Sequence, residues 1–147
     1  MTLTASAAAL FFNRDGEVLV VNPTYKEYWN LPGGAVDVDQ GETPLDAAVR
    51  EVHEELGIAP PIGRLLVHAW ISMAGRGGQV LYVFDGGTLN PSDQASIALQ
   101  ESELSEYAFH SPGAMPDGLI PPHLDEVWRQ ALLAHADGRT AYVSVRL

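Results

Sequence analysis

A chain of 147 residues with a net charge of −11 and only eight Lys and Arg has the size of one ordinary domain and lacks the cationic surface that binds nucleic-acid polymers. Zero cysteines exclude disulfides and thiolate metal sites, and the longest apolar stretch, Ala7 to Phe12, is far too short to span a bilayer. No positive charge precedes that stretch, so neither a signal peptide nor a membrane contact is expected, and the cytoplasm is the expected compartment.

No repeat, low-complexity tract or linker divides the chain, which predicts a single domain over residues 1–147. Ala5 to Phe12 and Glu17 to Val21 read as strands joined by the turn Asn13-Arg14-Asp15-Gly16. A helix is expected from Pro44 to Leu56, with Thr43 as its cap, Asp46 completing a capping box and Gly57 as its left-handed stop. Pro60-Pro61 breaks the chain. Ile62 to Ser72 and Gln79 to Phe84 follow as a strand pair around a glycine-rich turn, and strand character returns from Tyr107 to Phe109. A second helix is expected from Pro122 to Ala136, with Leu124, Val127, Trp128, Ala131 and Leu132 on one face, and Thr140 to Val145 alternates as an edge strand would. The prediction is an α/β fold with a mixed sheet between helices.

The first helix carries the chemistry. Glu51, Glu54 and Glu55 stand at helical spacing, and at about 100° per residue Glu54 and Glu55 fall on either side of Glu51. Leu45, Val49, Val52 and Leu56 are expected to form a separate packing face. Carboxylates three or four apart repel by about 0.2–0.5 kcal/mol per pair, and only Arg50 is placed to offset this. A solvated acidic face is the plain reading. The upstream loop argues otherwise: Trp29-Asn30-Leu31-Pro32-Gly33-Gly34, then Gly41-Glu42-Thr43-Pro44, feeds the helix with glycines.

With that loop the segment resembles the Nudix box, G-x5-E-x7-R-E-U-x-E-E-x-G-U with U aliphatic, of the Nudix hydrolases. The match is complete from Glu42 through Arg50-Glu51-Val52, Glu54-Glu55 and Gly57-Ile58. It departs at the front, where seven residues rather than five separate Gly34 from Glu42, a lengthening that brings in Asp37 and Asp39. The resemblance implies an α/β/α sandwich and a hydrolase for the pyrophosphate bond of a nucleoside diphosphate linked to another group. A nucleoside triphosphate, ADP-ribose, a nucleotide sugar or a dinucleoside polyphosphate would qualify. The alternative is a non-catalytic nucleotide sensor on the same fold, and the absence of cysteine speaks against the isoprenoid diphosphate isomerases that share it.

Oxygen ligands favour Mg²⁺ or Mn²⁺, and by resemblance Glu51 and Glu55 are the best metal ligands, with Glu54 third. Helical arithmetic points Glu42 towards Arg50 and away from Glu51, so Glu42 and Arg50 are expected to form a structural pair, as the resemblance also implies. Catalytic candidates are Glu51 and Glu55 and, because the resemblance implies a general base either in the box or on a distal loop, Glu103 beside Glu101 and Glu106, as an extra ligand or base, with a solvated loop carboxylate as the plain alternative. Lys26 and Arg76 are the basic residues placed to approach phosphate, with surface charge as the plain alternative. Trp29 is a candidate substrate contact or a packing residue. His53 is expected to be exposed, and His68 with Trp70 either packs on the sheet or stacks on a base. The expected partner is a small nucleotide, with no nucleic-acid polymer and no membrane, and the resemblance leaves room for a homodimer.

Overall fold

In the computed structural model, which describes residues 2–24, 27–100, 102 and 104–147, alternation along the first strand organises the layers. β1 (Thr2–Phe12) sends Ala8, Leu10 and Phe12 into one core and Ala7, Ala9 and Phe11 to the opposite side. A strand buried on both faces reads as a continuous apolar run, which is why Ala7 to Phe12 shows no polar residue. The Asn13 side-chain oxygen accepts from the amides of Asp15 and Glu17, and Gly16 takes φ +77° to close the turn. β2 (Val18–Pro23) then returns antiparallel.

β3 (Gly33–Ala35) is a short strand paired antiparallel with β1, with Ala7 opposite Gly34. α1 (Pro44–Leu56) follows, capped by the reciprocal Thr43–Asp46 box and ended by Gly57 at φ +70°. β4 (Leu65–Met73) and β5 (Gly77–Thr88) form the central hairpin, α2 (Pro91–Ala95) is one turn capped by Asn90, and β6 (Leu104–His110) pairs with β2. α3 (Asp125–Asp137) and β7 (Ala141–Arg146) complete the chain. The strand order is β6-β2-β1-β5-β4-β7, with β3 beside β1; β1–β5 and β4–β7 are parallel and the other pairs antiparallel. The sheet is therefore mixed and the class α/β.

Each helix covers one face. Val127, Trp128, Ala131 and Ala134 of α3 pack against Ala8, Leu10, Val67 and Val83, while Val52 and Leu56 of α1 pack with Ala9, Phe11, Leu19 and Val21. Each fully buried Leu, Val or Phe contributes about 1.5–3 kcal/mol of transfer free energy, so the two cores together hold the sheet in place. Among the described residues no helix is long and apolar enough to cross a membrane.

The packing face of α1 differs from the expected one. Ala47, Ala48, Val52, Glu55 and Leu56 are buried, whereas Leu45 and Val49 stand 40% and 43% exposed. The small alanines let the helix lie close to β1 and β3, so the line of contact runs through Ala48 and Val52. Seven residues fall about 20° short of two turns, which puts Glu55 on that same line. α3 has its expected face at Val127, Trp128 and Ala131, with Leu132 only partly buried, whereas Pro122–Leu124, expected as its first turn, form a separate 3₁₀ turn that leaves Leu124 partly buried.

Candidate active site

Two glycines bring the sheet and the acidic helix together. The Gly33 amide donates to Glu55 Oε1 at 2.8 Å, which satisfies a carboxylate that is only 6% exposed. At Gly34 a Cβ would sit 2.5 Å from Glu51 Cδ and 2.6 Å from its Oε1. The Glu51 carboxylate thus lies directly on the β3 backbone, an approach that only glycine allows. The β1 register explains the orientation: Gly34 is opposite Ala7, whose side chain faces α1.

Arg50 organises the remaining charges. Its Nε and Nη2 donate to Glu42 Oε2 and Oε1 at 2.6 and 2.9 Å, a bidentate pair, and Nη2 also reaches the Ala35 carbonyl at 3.0 Å. Nη1 donates to Glu51 Oε1 at 2.9 Å and to Glu54 Oε2 at 3.2 Å. One guanidinium therefore ties the loop, β3 and two helix carboxylates together. Glu42 Oε1 further accepts from the Asp37 amide at 2.8 Å. The Arg50 hydrogen bonds, followed by the Asp37 amide, lower the Glu42 pKa from 4.5 to about 2. The reciprocal contact with Glu42, then those with Glu51, raises that of Arg50.

The three helix glutamates do not share one acidic face. Glu55 is buried beneath β3, Glu51 is mostly buried beside Gly34, and Glu54 is exposed. Among the described residues no three carboxylate or imidazole groups converge as a ready-made metal cluster. Crowded carboxylates repel, and Arg50 draws Glu51 and Glu54 towards itself while the Gly33 amide holds Glu55. The donor set still suits a hard divalent cation, since it is all carboxylate oxygen.

On the α3 side of the sheet lies a pocket of about 420 Å³, floored by Ser6, Ala8, Gln79 and Leu81, walled by Tyr28 and Trp128, and bordered by Gly33 and Gly34. The same two glycines thus border the pocket and touch Glu51 and Glu55. Sequence reasoning did not find this pocket. Its residues come from β1, β5, the 27–31 loop and α3, and no local pattern links them.

Other expected residues are more dispersed. Lys26 and Glu103, with Glu101, lie outside the described residues. Arg76 is exposed in the β4–β5 turn and is not among the residues bordering the pocket. Trp29 packs against the α3-side core and meets His110 edge-on at 6.4 Å between ring centres. Glu106 Oε1 accepts from Asn22 Nδ2 at 3.0 Å. His53 is exposed. His68 stacks on Tyr82 at 5.0 Å, and with Trp70 it occupies the sheet face opposite the pocket, because Leu81 and Val83 of the paired strand point to α3. Neither side chain therefore lines that pocket. His123 borders the pocket, and His135 Nδ1 meets Asp85 Oδ2 at 2.8 Å, a contact that fastens α3 to β5.

The geometry has counterparts in known proteins. The chain is 46% identical over 63 residues to mouse (Mus musculus) diphosphoinositol polyphosphate phosphohydrolase 3-alpha, an overlap that covers 41% of this chain and 37% of that protein. The chain therefore spans well under half the length of the curated relatives it matches. Among solved structures, the MutT protein from Methanosarcina mazei Go1 superposes with a TM-score of 0.72 at 25% identity, covering 90% of this chain and 95% of the other. An Ap4A hydrolase from C. elegans superposes at 0.70 with 20% identity, over 92% and 98% of the two chains, a likeness of fold. The model of the NUDIX domain matches residues 2–132, nearly the whole described molecule, and with the box helix seated on its glycine strand the chain belongs to the Nudix hydrolase family.

Proposed function

We propose that the protein is a metal-dependent pyrophosphohydrolase whose substrate is a nucleoside diphosphate linked to another group. The observation that carries this reading is the shared position of Gly33 and Gly34, which border the 420 Å³ pocket on one side and contact Glu55 and Glu51 on the other. A substrate seated in the pocket would bring its phosphates across these glycines to the carboxylates. That matches the chemistry of an elongated molecule with a neutral end and an anionic end.

In this reading Glu51 and Glu55, with Glu54, would hold Mg²⁺ or Mn²⁺, which when bound neutralises phosphate charge and acidifies water. Hydrolysis forms one P–O bond to water and breaks one anhydride P–O bond, and the water proton must be removed. Glu103, immediately before β6 in the sequence, is the carboxylate proposed to take that proton. Glu42 and Arg50 act at one remove: they hold the loop against the helix, and Arg50 steadies Glu51.

The test is a Mg²⁺-supplemented screen of nucleoside triphosphates, ADP-ribose, nucleotide sugars and dinucleoside polyphosphates, with products identified by mass. Release of a nucleotide together with a phosphorylated second product, abolished in Glu51→Gln, is expected. Hydrolysis that persists at full rate in that variant would overturn the assignment.

A further inference from the structure

We infer that the pocket beside the glutamates is a site for an uncharged, hydrogen-bonding ring of the nucleobase class, read by the paired side chains of Gln79 and Ser6, and that it does not accept a polyphosphorylated ring. This rests on the proposed hydrolase reading and narrows its substrate.

The pocket floor supplies the first argument. Gln79 on β5 and Ser6 on β1 both point to the α3 side, and Gln79 Nε2 donates to Ser6 Oγ at 2.7 Å. That bond orients the amide and leaves its carbonyl oxygen, its second N–H and the Ser6 hydroxyl proton for a ligand. Donor and acceptor side by side are what the edge of a base presents. Around them Ala8, Leu81 and Val83 are apolar, and Tyr28 and Trp128 add aromatic surface suited to a planar ring.

Charge supplies the second argument. The described residues bordering the pocket include no Lys or Arg, and Glu27 adds a carboxylate. None of the described arginines borders the pocket, and four are held elsewhere: Arg50 in the glutamate cluster, Arg64 on the Ala134 carbonyl, Arg129 on Glu126, and Arg139 on Asp137. A ring bearing many phosphates needs several cations within a few ångströms. On this reading the 46% identity over 63 residues to the diphosphoinositol polyphosphate enzyme does not carry that enzyme's substrate over to this chain.

Steady-state kinetics with Mg²⁺ test this on wild type, Gln79→Leu and Ser6→Ala, using ADP-ribose, a nucleoside triphosphate and a diphosphoinositol polyphosphate, with melting temperatures to verify folding. Wild type should prefer a nucleotide by kcat/KM over the inositol compound. Gln79→Leu should raise the nucleotide KM about tenfold with kcat little changed, the signature of lost ground-state binding. Ser6→Ala, which frees the amide to rotate, should raise it about threefold and reads the same pair if Gln79→Leu does not fold. Nucleotide KM values within twofold of wild type in the folded variants, or a wild-type preference for the inositol compound, would overturn the inference. Glu51→Gln separates the two readings: if it is inactive while the Gln79 and Ser6 variants are unchanged, only the pocket assignment falls, and if it is fully active the hydrolase reading falls first.

Discussion

Gly34 and Glu51 occupy each other's space: the Glu51 carboxylate carbon lies 2.5 Å from where a Cβ of residue 34 would be. The atoms met are the far end of a flexible side chain, so Gly34→Ala is expected to fold and to push Glu51 aside. A displacement of about 1 Å at a reacting group can cost about a hundredfold in rate, and a loss of that order with a small change in Tm is the expected result. Gly33 is different, because its Cβ would meet the Ala7 carbonyl oxygen and the Ala8 backbone, which do not yield. Gly33→Ala should lower Tm severely. Thermal melts and kcat for the two variants check the contrast, and equal Tm losses would contradict it.

Glu42 should act through stability. Its pKa of about 2, against an ordinary 4.5, means that the Arg50 and Asp37 bonds favour the charged, folded form. The sign follows: this contribution is fully present above about pH 4.5 and is lost as pH falls towards 2. Glu42→Gln should therefore lower Tm at pH 7, and the gap from wild type should narrow as pH falls from 5 to 3. A gap that widened with acid would be incompatible with the ion pair. At pH 7 Glu51→Gln should instead lower turnover by orders of magnitude while the fold stands.

Mg²⁺ should stabilise the folded chain, because an unfolded chain has no assembled carboxylates. At a hundredfold excess over Kd the gain is about 2.7 kcal/mol, a rise of several degrees in Tm for a domain of this size. Binding must draw Glu51 and Glu54 from Arg50, so Glu51→Gln should blunt the shift. Exhaustive chelation should abolish turnover and Mg²⁺ or Mn²⁺ restore it. A melt indifferent to either ion, or activity untouched by chelation, would remove the metal from the proposal.

What could be read from the sequence depends on how locally each feature is determined. The ends of α1 are legible because Thr43, Pro44, Asp46 and Gly57 act on their own backbone neighbours, and the helix begins and ends where they direct. The pairing of Glu42 with Arg50 follows from the same arithmetic. The rotation of the helix does not, since it depends on how closely Ala47 and Ala48 approach β1, and with that rotation went the burial of Glu55 and the exposure of Val49. β3 escapes notice because three residues, two of them glycine, carry no alternation to read. Ser6 and Gln79 lie 73 positions apart and meet only through the parallel pairing of β1 with β5.

The lengthened loop folds as one 3₁₀ turn, Val38–Gln40, closed by Gly41 at φ +77° and by Asp37, whose carbonyl accepts from the amides of Gln40 and Glu42 at 3.2 Å. Val38 is 67% exposed, and Asp37 and Asp39 are exposed as well. The contacts that join loop to helix are made by Asp37 and Glu42 at its ends, not by the extra residues between them. Deleting Val38-Asp39 restores five residues between Gly34 and Glu42 and keeps both anchors. Closure entropy changes little, since even a doubling of loop length costs only about 0.6 kcal/mol. The shortened variant should retain the Mg²⁺-induced rise in Tm and stay within about tenfold of wild-type turnover, roughly 1.4 kcal/mol in the barrier. A variant that folds but no longer responds to Mg²⁺ would show that the turn carboxylates belong to the ligand set, and the assignment of the metal to the helix glutamates alone would fall.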